Sequence, residues 1–221
     1  MIRLDIISDI ACPWCYVGKA YLDRALEARP EHPLSLEWHP FQLNPDMPRE
    51  GMDRVTYLEW KFGGRDNVVR AYEPLIQHAE AAGVELNLAA VKRTPNTLDA
   101  HRLIHWAGVE GRQTPFVSAL FRALWRDGRD VGDRAVLAEI AGECGLDAAM
   151  MARLLEGDAD ADDIRARDDH TRKRGVTGVP TFILAHQHVL QGAQPTEMWL
   201  RILDEIAGQL SAGADAAGQS Q

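Results

Sequence analysis

From Ile2 to Ser8, apolar Ile2, Leu4 and Ile6 alternate with Arg3 and Asp5, and Ile7 makes the second face partly apolar. A period of two marks a strand, so this segment predicts a strand that runs straight toward Cys12. After Cys12, the residues Val17, Tyr21, Leu22, Ala25 and Leu26 recur at helical spacing until Arg29-Pro30 stops them. Leu34, Leu36 and Trp38 then alternate with Ser35, Glu37 and His39 and end at Pro40, which predicts a second strand. The result is a strand-helix-strand unit with Cys12 and Cys15 at its first junction.

From about Pro45 to about Gly175 the pattern is helical and strand signals almost vanish. Val68, Val69, Tyr72, Leu75, Ile76 and Ala79 make one amphipathic stripe, and Leu98, Leu103, Ile104 and Ala107 another. Thr114-Pro115 reads as a cap followed by a first helical proline. Asp133 and Asp147 read as caps of two further helices that stop near Gly145 and Gly157, and a last one ends at Arg172-Lys173-Arg174 before Gly175. A crossover needs only about a dozen residues, so this much longer stretch reads as an inserted helical subdomain.

Thr181 to Leu184 and His188 to Gln191 read as a β-hairpin joined by Ala185-His186-Gln187. Pro195 opens a final helix whose apolar face is Met198, Leu200, Ile202, Leu203 and Ile206. The expected organisation is α/β: residues 1–45 and 175–210 form one discontinuous domain, 46–174 a large all-helical insertion, and 211–221, rich in Ala, Gly, Ser and Gln, a disordered tail.

Composition narrows the function classes. At 221 residues the chain is long enough for a full core without disulfide staples. Its 24 Lys and Arg against 33 Asp and Glu give a formal charge of −9, the wrong sign for tracking nucleic acid. No run approaches the roughly 18 apolar residues of a membrane span. Asp5 and Asp9 interrupt the short apolar start, which does not read as a secretory signal, so the expectation is a cytoplasmic protein with no membrane partner.

Three cysteines do not make a structural framework. Cys12-Pro13-Trp14-Cys15 is the feature that carries chemistry, because a cycled disulfide needs two sulfurs within bonding reach, one exposed as a thiolate and one waiting. With Cys12 as N-cap and Pro13 at the first helical position, the free N–H groups and the positive end of the helix dipole favour a thiolate at Cys12. Cys12 is thus the candidate nucleophile and Cys15 the resolving thiol. The competing reading, half of a zinc site, lacks a second Cys or His pair at matching spacing. His101 and His105 stand four apart without the glutamate of a zinc protease helix and read as structural. Cys144, on a face with Val136, Leu137, Ile140 and Ala141, reads as a buried, inert hydrophobe. The alternating acids and bases of 158–174 read as an acidic helix start and a solvated face. The site therefore calls for no metal and no cofactor.

Asp9-Ile10-Ala11-Cys12-Pro13-Trp14-Cys15 resembles the active site of the DsbA-like thioredoxin-fold oxidoreductases, in particular the FrnE-like branch. The resemblance extends over Trp38-His39-Pro40-Phe41-Gln42-Leu43-Asn44-Pro45, Asn96-Thr97, Ala100-His101-Arg102-Leu103 and Gly175-Val176-Thr177-Gly178-Val179-Pro180-Thr181-Phe182. It implies a thioredoxin-like fold and a cis Val179–Pro180 bond facing the two sulfurs. Val179 and Pro180 would then be substrate-binding, with the Val179 backbone pairing an extended peptide as an added strand. Pro13 and Trp14 would tune the redox couple. Trp14 stands where the strongly oxidising relatives carry histidine, which favours a reductase or isomerase over an oxidase.

The implied function is thiol-disulfide exchange with a disulfide-containing peptide, protein or glutathione, by a monomer or homodimer. Two alternatives stand beside it. One is a glutathione-dependent isomerase or transferase of the kappa and 2-hydroxychromene-2-carboxylate isomerase type, whose members typically have serine in place of Cys12. The other is a non-catalytic accessory of a biosynthetic partner.

Overall fold

A computed structural model describes the backbone of residues 1–218 and the side chains of residues 1–212. The chain runs β1 (Ile2–Ser8), α1 (Pro13–Ala28), β2 (Leu34–Pro40), β3 (Met52–Asp53), α2 (Arg54–Phe62), α3 (Arg65–Ala82), β4 (Arg93–Thr94), α4 (Leu98–Val109), α5 (Gln113–Trp125), α6 (Arg134–Glu143), α7 (Ala148–Glu156), α8 (Ala161–Lys173), β5 (Thr181–Leu184), β6 (His188–Gln191) and α9 (Thr196–Gly218).

The main sheet has the order β2-β1-β5-β6. β1 lies parallel to β2, with Ile6 opposite Trp38, and antiparallel to β5, with Ile6 opposite Phe182. A strand with neighbours on both sides and helices over both faces must be apolar on both, and Leu4, Ile6 and Ile7 are all buried. Phe182 meets Trp199 of α9 edge-on, with ring centroids 4.9 Å apart. On the opposite face Asp5 is buried within reach of α8, where Arg3 Nε donates to its Oδ1 at 2.6 Å and His39 Nε2 lies 2.7 Å from the same oxygen. Burial pushes the Asp5 pKa up, but Arg3 and His39 outweigh it and hold the carboxyl below its ordinary value.

The hairpin forms where expected. Gln187 N–H closes its turn onto Leu184 O at 3.0 Å, with Ala185 and His186 at φ 52° and 58°, the left-handed conformation that a right-twisted hairpin favours. Asp133 caps α6 through the N–H groups of Ala135 and Val136, and Asp147 caps α7 through Met150 N–H. Thr114 does not cap α5, which begins one residue earlier. Its Oγ1 accepts the Trp38 indole N–H at 2.9 Å, while the Gln113 amide accepts Trp38 N–H at 2.9 Å and donates to Trp38 O at 3.2 Å. These bonds satisfy the outer side of edge strand β2, a stronger demand than capping.

Four expectations need correction. β3 and β4 pair as a two-residue antiparallel ribbon in a stretch that reads as helical throughout, and α2 follows directly, with an exposed face that mixes Val55, Glu59 and Trp60. α9 continues through 218, so 211–218 are helical rather than disordered, in keeping with the high helix propensity of Ala212, Ala214, Ala216 and Ala217; residues 219–221 lie outside the described ones. The charged face of α8 is not merely solvated: Arg172 lies 4.0 Å over the Phe41 ring, donates to Asp168 and Gln42 O, and buried Asp168 accepts Gln42 N–H. Cys144 is the C-cap of α6 and only partly buried: it packs at the edge of the core with its thiol toward Pro115 O.

At the centre of the helices between β2 and β5, fully buried Arg102 of α4 donates to Asp99 Oδ1 at 2.5 Å, Ala159 O at 2.7 Å, and Leu154 O and Gly157 O at 2.9 Å. Arg134 Nε reaches the other Asp99 oxygen at 2.6 Å. One side chain thus ties α4 to α7 and to the turn that leads into α8.

Candidate functional site

β1 delivers the chain to a tight turn in which Cys12 N–H donates to Asp9 O at 3.0 Å. Cys12 is the N-cap of α1 at φ −94° and ψ 111°, and Pro13 opens the helix. No side chain caps this end, so the positive helix terminus is left to whatever charge develops on Cys12. The Cys12 thiol donates instead to Val179 O at 3.6 Å, across a cis Val179–Pro180 peptide. Gly18, one turn beyond Cys15, lets this segment approach α1: a Cβ there would lie 3.1 Å from Pro180 Cγ and 3.3 Å from Ala193 Cα.

Cys12 and Cys15 are both free thiols, 4% and 1% exposed. The expected open nucleophile is therefore covered, because α3 lies along α1. Trp14 meets His78 of α3 edge-on at 5.3 Å, and Tyr21 OH donates to His78 O at 3.0 Å and lies 3.0 Å from its Nδ1. Burial, then the neighbouring Cys12, push the Cys15 pKa well above its ordinary value, against weaker opposing contacts from Ser8 and the Asp9 backbone. At neutral pH Cys15 is a thiol that waits for a partner.

Asp9 braces the turn from below. Its buried carboxylate accepts Ala11 N–H at 3.2 Å and Leu43 N–H at 2.7 Å, joining the turn to the segment after β2. The His101 Nε2 atom lies 3.6 Å from Asp9 Oδ1 and has no hydrogen-bond partner. Trp125 Nε1 donates to Ile10 O at 2.9 Å. Burial raises the Tyr72 pKa; Arg54 opposes this and the nearby Cys12 adds to it.

Cys12, Pro13, Trp14, Cys15, Val179 and Pro180 thus converge at one end of the sheet. His101 and His105 face different neighbours, Asp9 at 3.6 Å and Arg167 at 3.3 Å. The sequence gives little sign of Ser8, Tyr72, His78 and Arg54; for Tyr72 there is only its place on the α3 stripe, and for Gly18 only the absence of a side chain.

A DsbA-like thioredoxin domain matches residues 3–204. The chain belongs to this family. It is a family of thiol-disulfide oxidoreductases on a thioredoxin-like fold, here rich in helix. A crystal structure of a probable DsbA oxidoreductase from Streptomyces coelicolor is 33% identical, with a TM-score of 0.82 over 94% of this chain and 91% of that one. The fold is shared at lower identity by two further structures. The cytosolic disulfide reductase DsbM from Pseudomonas aeruginosa with glutathione is 20% identical, with a TM-score of 0.65 over 93% of this chain and 98% of that one. A 2-hydroxychromene-2-carboxylate isomerase is 18% identical, with a TM-score of 0.69 over 97% of this chain and 98% of that one.

Proposed function

We propose that this DsbA-like protein is a disulfide reductase or isomerase that exchanges through Cys12 and Cys15. The Cys12 thiolate attacks one sulfur of a substrate disulfide, forming a mixed disulfide and releasing the other sulfur as a thiolate. Cys15 then loses its proton and attacks the Cys12 sulfur, which closes the Cys12–Cys15 disulfide and releases the second substrate thiol. The substrate gains two electrons and the protein loses two. Glutathione or another thiol returns them, or the mixed disulfide is resolved by a second substrate thiol, which is isomerisation.

The observation that carries this reading is the uncapped start of α1 at Cys12 with a buried, protonated Cys15 one turn along. Val179 O beside the Cys12 sulfur supports a role for Val179 and Pro180 in holding the substrate backbone. The cover over Cys12 favours a glutathione-sized or extended peptide disulfide over a folded protein surface. The named glutathione complex of DsbM supports the same class, and that protein's cytosolic setting supports the cytoplasm as the compartment. No described helix is long and apolar enough to cross a membrane. In a cytosolic poise of about −220 mV or below, a couple with a higher potential rests as the dithiol, ready to reduce or isomerise.

Shared fold with the isomerase supports a second reading, in which glutathione binds and Cys15 has no chemical part. Cys15→Ser separates the two. Exchange predicts that this variant accumulates a covalent adduct at Cys12, visible by mass spectrometry, with net disulfide reduction lost; Cys12→Ser drops reduction and disulfide isomerisation to background. Full turnover in Cys15→Ser with no adduct at Cys12 overturns the exchange reading in favour of glutathione-dependent isomerisation.

A further inference from the structure

Ser8 closes β1 and is 4% exposed. Its main chain is occupied: it lies opposite Pro40, and Ser8 O accepts Phe41 N–H at 3.2 Å. Its hydroxyl is not. Ser8 Oγ is buried without a hydrogen-bond partner, although a hydroxyl offers one donor and two acceptor sites. Native interiors satisfy nearly all such groups, so an idle one calls for a reason.

Strand alternation decides what the hydroxyl faces. Asp5 and Ile7 line the cavity under α8, so Leu4, Ile6 and Ser8 point to the other side of the sheet. On that side Phe182, opposite Ile6, meets Trp199 of α9, and Thr196 of α9 donates to Tyr21 O of α1 at 3.2 Å. Ser8 stands at the strand end from which the chain turns into α1, beside the first turn that buries Cys15. Its hydroxyl and the Asp9 backbone both favour a thiolate at Cys15, against the burial and the neighbouring Cys12 that outweigh them. The other two idle buried atoms, His101 Nε2 and Trp199 Nε1, stand against Asp9 and Phe182 rather than a sulfur.

Cys15 is a thiol at rest and must become a thiolate to attack. Charge that forms in a dry site is costly. A donor unused at rest that bonds only the reacting form lowers the barrier without stabilising the resting state. We propose that Ser8 is a catalytic residue of the resolving step, its hydroxyl donating a hydrogen bond to the Cys15 sulfur as that sulfur attacks the Cys12 mixed disulfide. Ser8 transfers neither proton nor electrons. A Cys15 electron pair forms the Cys12–Cys15 bond, the pair of the broken Cys12–substrate bond leaves with the substrate sulfur, and the Cys15 proton ends on that sulfur as a thiol. This role rests on the exchange reading and goes beyond it by assigning a residue to the second step alone.

The test compares Ser8→Ala with the parent as reduced full-length proteins, mixed with dithiobis-nitrobenzoate at concentrations where adduct formation outruns closure. Acid-quenched mass spectrometry follows the Cys12 adduct as it forms and as it converts to the Cys12–Cys15 disulfide. The variant should form the adduct within about twofold of the parent rate and close it about 10-fold more slowly, the worth of one hydrogen bond to a charged group. Its closure should also need higher pH, because the Cys15 thiolate has lost a donor. Reduced Ser8→Ala should unfold at the parent's denaturant midpoint or above it, since no bond is lost at rest.

Closure at the parent rate, or slowed with the parent's pH dependence, overturns the role. So does equal slowing of both steps, which would mark a displaced turn. A variant that fails to fold, or unfolds at clearly lower denaturant, overturns it too, because the hydroxyl would then be bonded at rest. A parent that forms the adduct and never closes it sinks exchange through Cys15 itself, whereas unchanged closure in Ser8→Ala sinks only the part given to Ser8.

Discussion

Arg102 and Arg54 are both buried arginines among the helices between β2 and β5, and they are finished to different degrees. Arg102 has a carboxylate, three backbone carbonyls and the Trp106 ring 5.1 Å from its guanidinium carbon, so its burial is compensated bond for bond. Arg54 has two hydroxyls, one of them at the 3.5 Å limit, and the Trp125 ring 4.9 Å from its guanidinium carbon, but among the described residues no carboxylate and no carbonyl. The contrast extends beyond the arginines. Among the described residues three buried side-chain atoms lack partners: Ser8 Oγ and His101 Nε2 at the Cys12 end, and Trp199 Nε1 of α9 against Phe182; none is in the Arg102 knot. Native interiors satisfy nearly all buried polar groups, and exceptions collect where chemistry is done. The Arg102 end is built to hold, and the Cys12 end keeps groups in reserve.

The largest effect that would break this comparison lies in the knot. Arg102→Met leaves the Asp99 carboxylate and three carbonyls short of a donor and should cost about 3–5 kcal/mol in denaturant unfolding, while folded molecules keep their exchange rate. A loss under about 1 kcal/mol would mean that the knot is not what secures the helices. Next in size is Gly18→Ala. The added Cβ meets Pro180 Cγ at 3.1 Å and Ala193 Cα at 3.3 Å, and should cost about 1–3 kcal/mol through overpacking and slow exchange by displacing Val179 O. Unchanged stability and rate would show that the segment does not depend on this approach.

The smallest effect is a shift with pH. Burial pushes the Asp99 pKa up, but Arg134 and Arg102 outweigh it, so the folded pKa lies below the unfolded one. A depressed carboxyl contributes stability that is complete above the unfolded value near 4 and is lost as pH falls through the folded one. Asp99→Asn should therefore lower stability at neutral pH and flatten the acid limb of unfolding. An acid limb identical to the parent's would remove Asp99 from the knot's energetics.

Much of this organisation is legible in the chain because local rules decide it. The alternation of β1 and β2, the caps Asp133 and Asp147 and the strand-to-helix position of Cys12 each depend on a few neighbouring residues, and the structure has all of them. What escapes the sequence depends on distant partners. Nothing near Cys12 announces that α3 will cover it, nothing near Thr114 that the Trp38 indole will claim its hydroxyl, and nothing near Arg54 that no acid will meet it. Arg102 and Arg54 read alike as helix arginines until their surroundings are assembled. The β3–β4 ribbon is too short to carry a period, and in 211–218 alanine propensity prevails over the missing apolar face.

The exchange chemistry at Cys12 is the claim on which the rest depends. Its most direct test is an equilibrium titration of the full-length protein through a series of glutathione buffers, with the state of each sulfur read by alkylation and mass spectrometry. The account predicts a reversible two-electron couple in which Cys12 and Cys15 form one disulfide, Cys144 takes no part, and Cys15→Ser yields a glutathione adduct on Cys12 instead. Absence of a Cys12–Cys15 disulfide at every poise would contradict it and leave glutathione binding without exchange as the reading of the site.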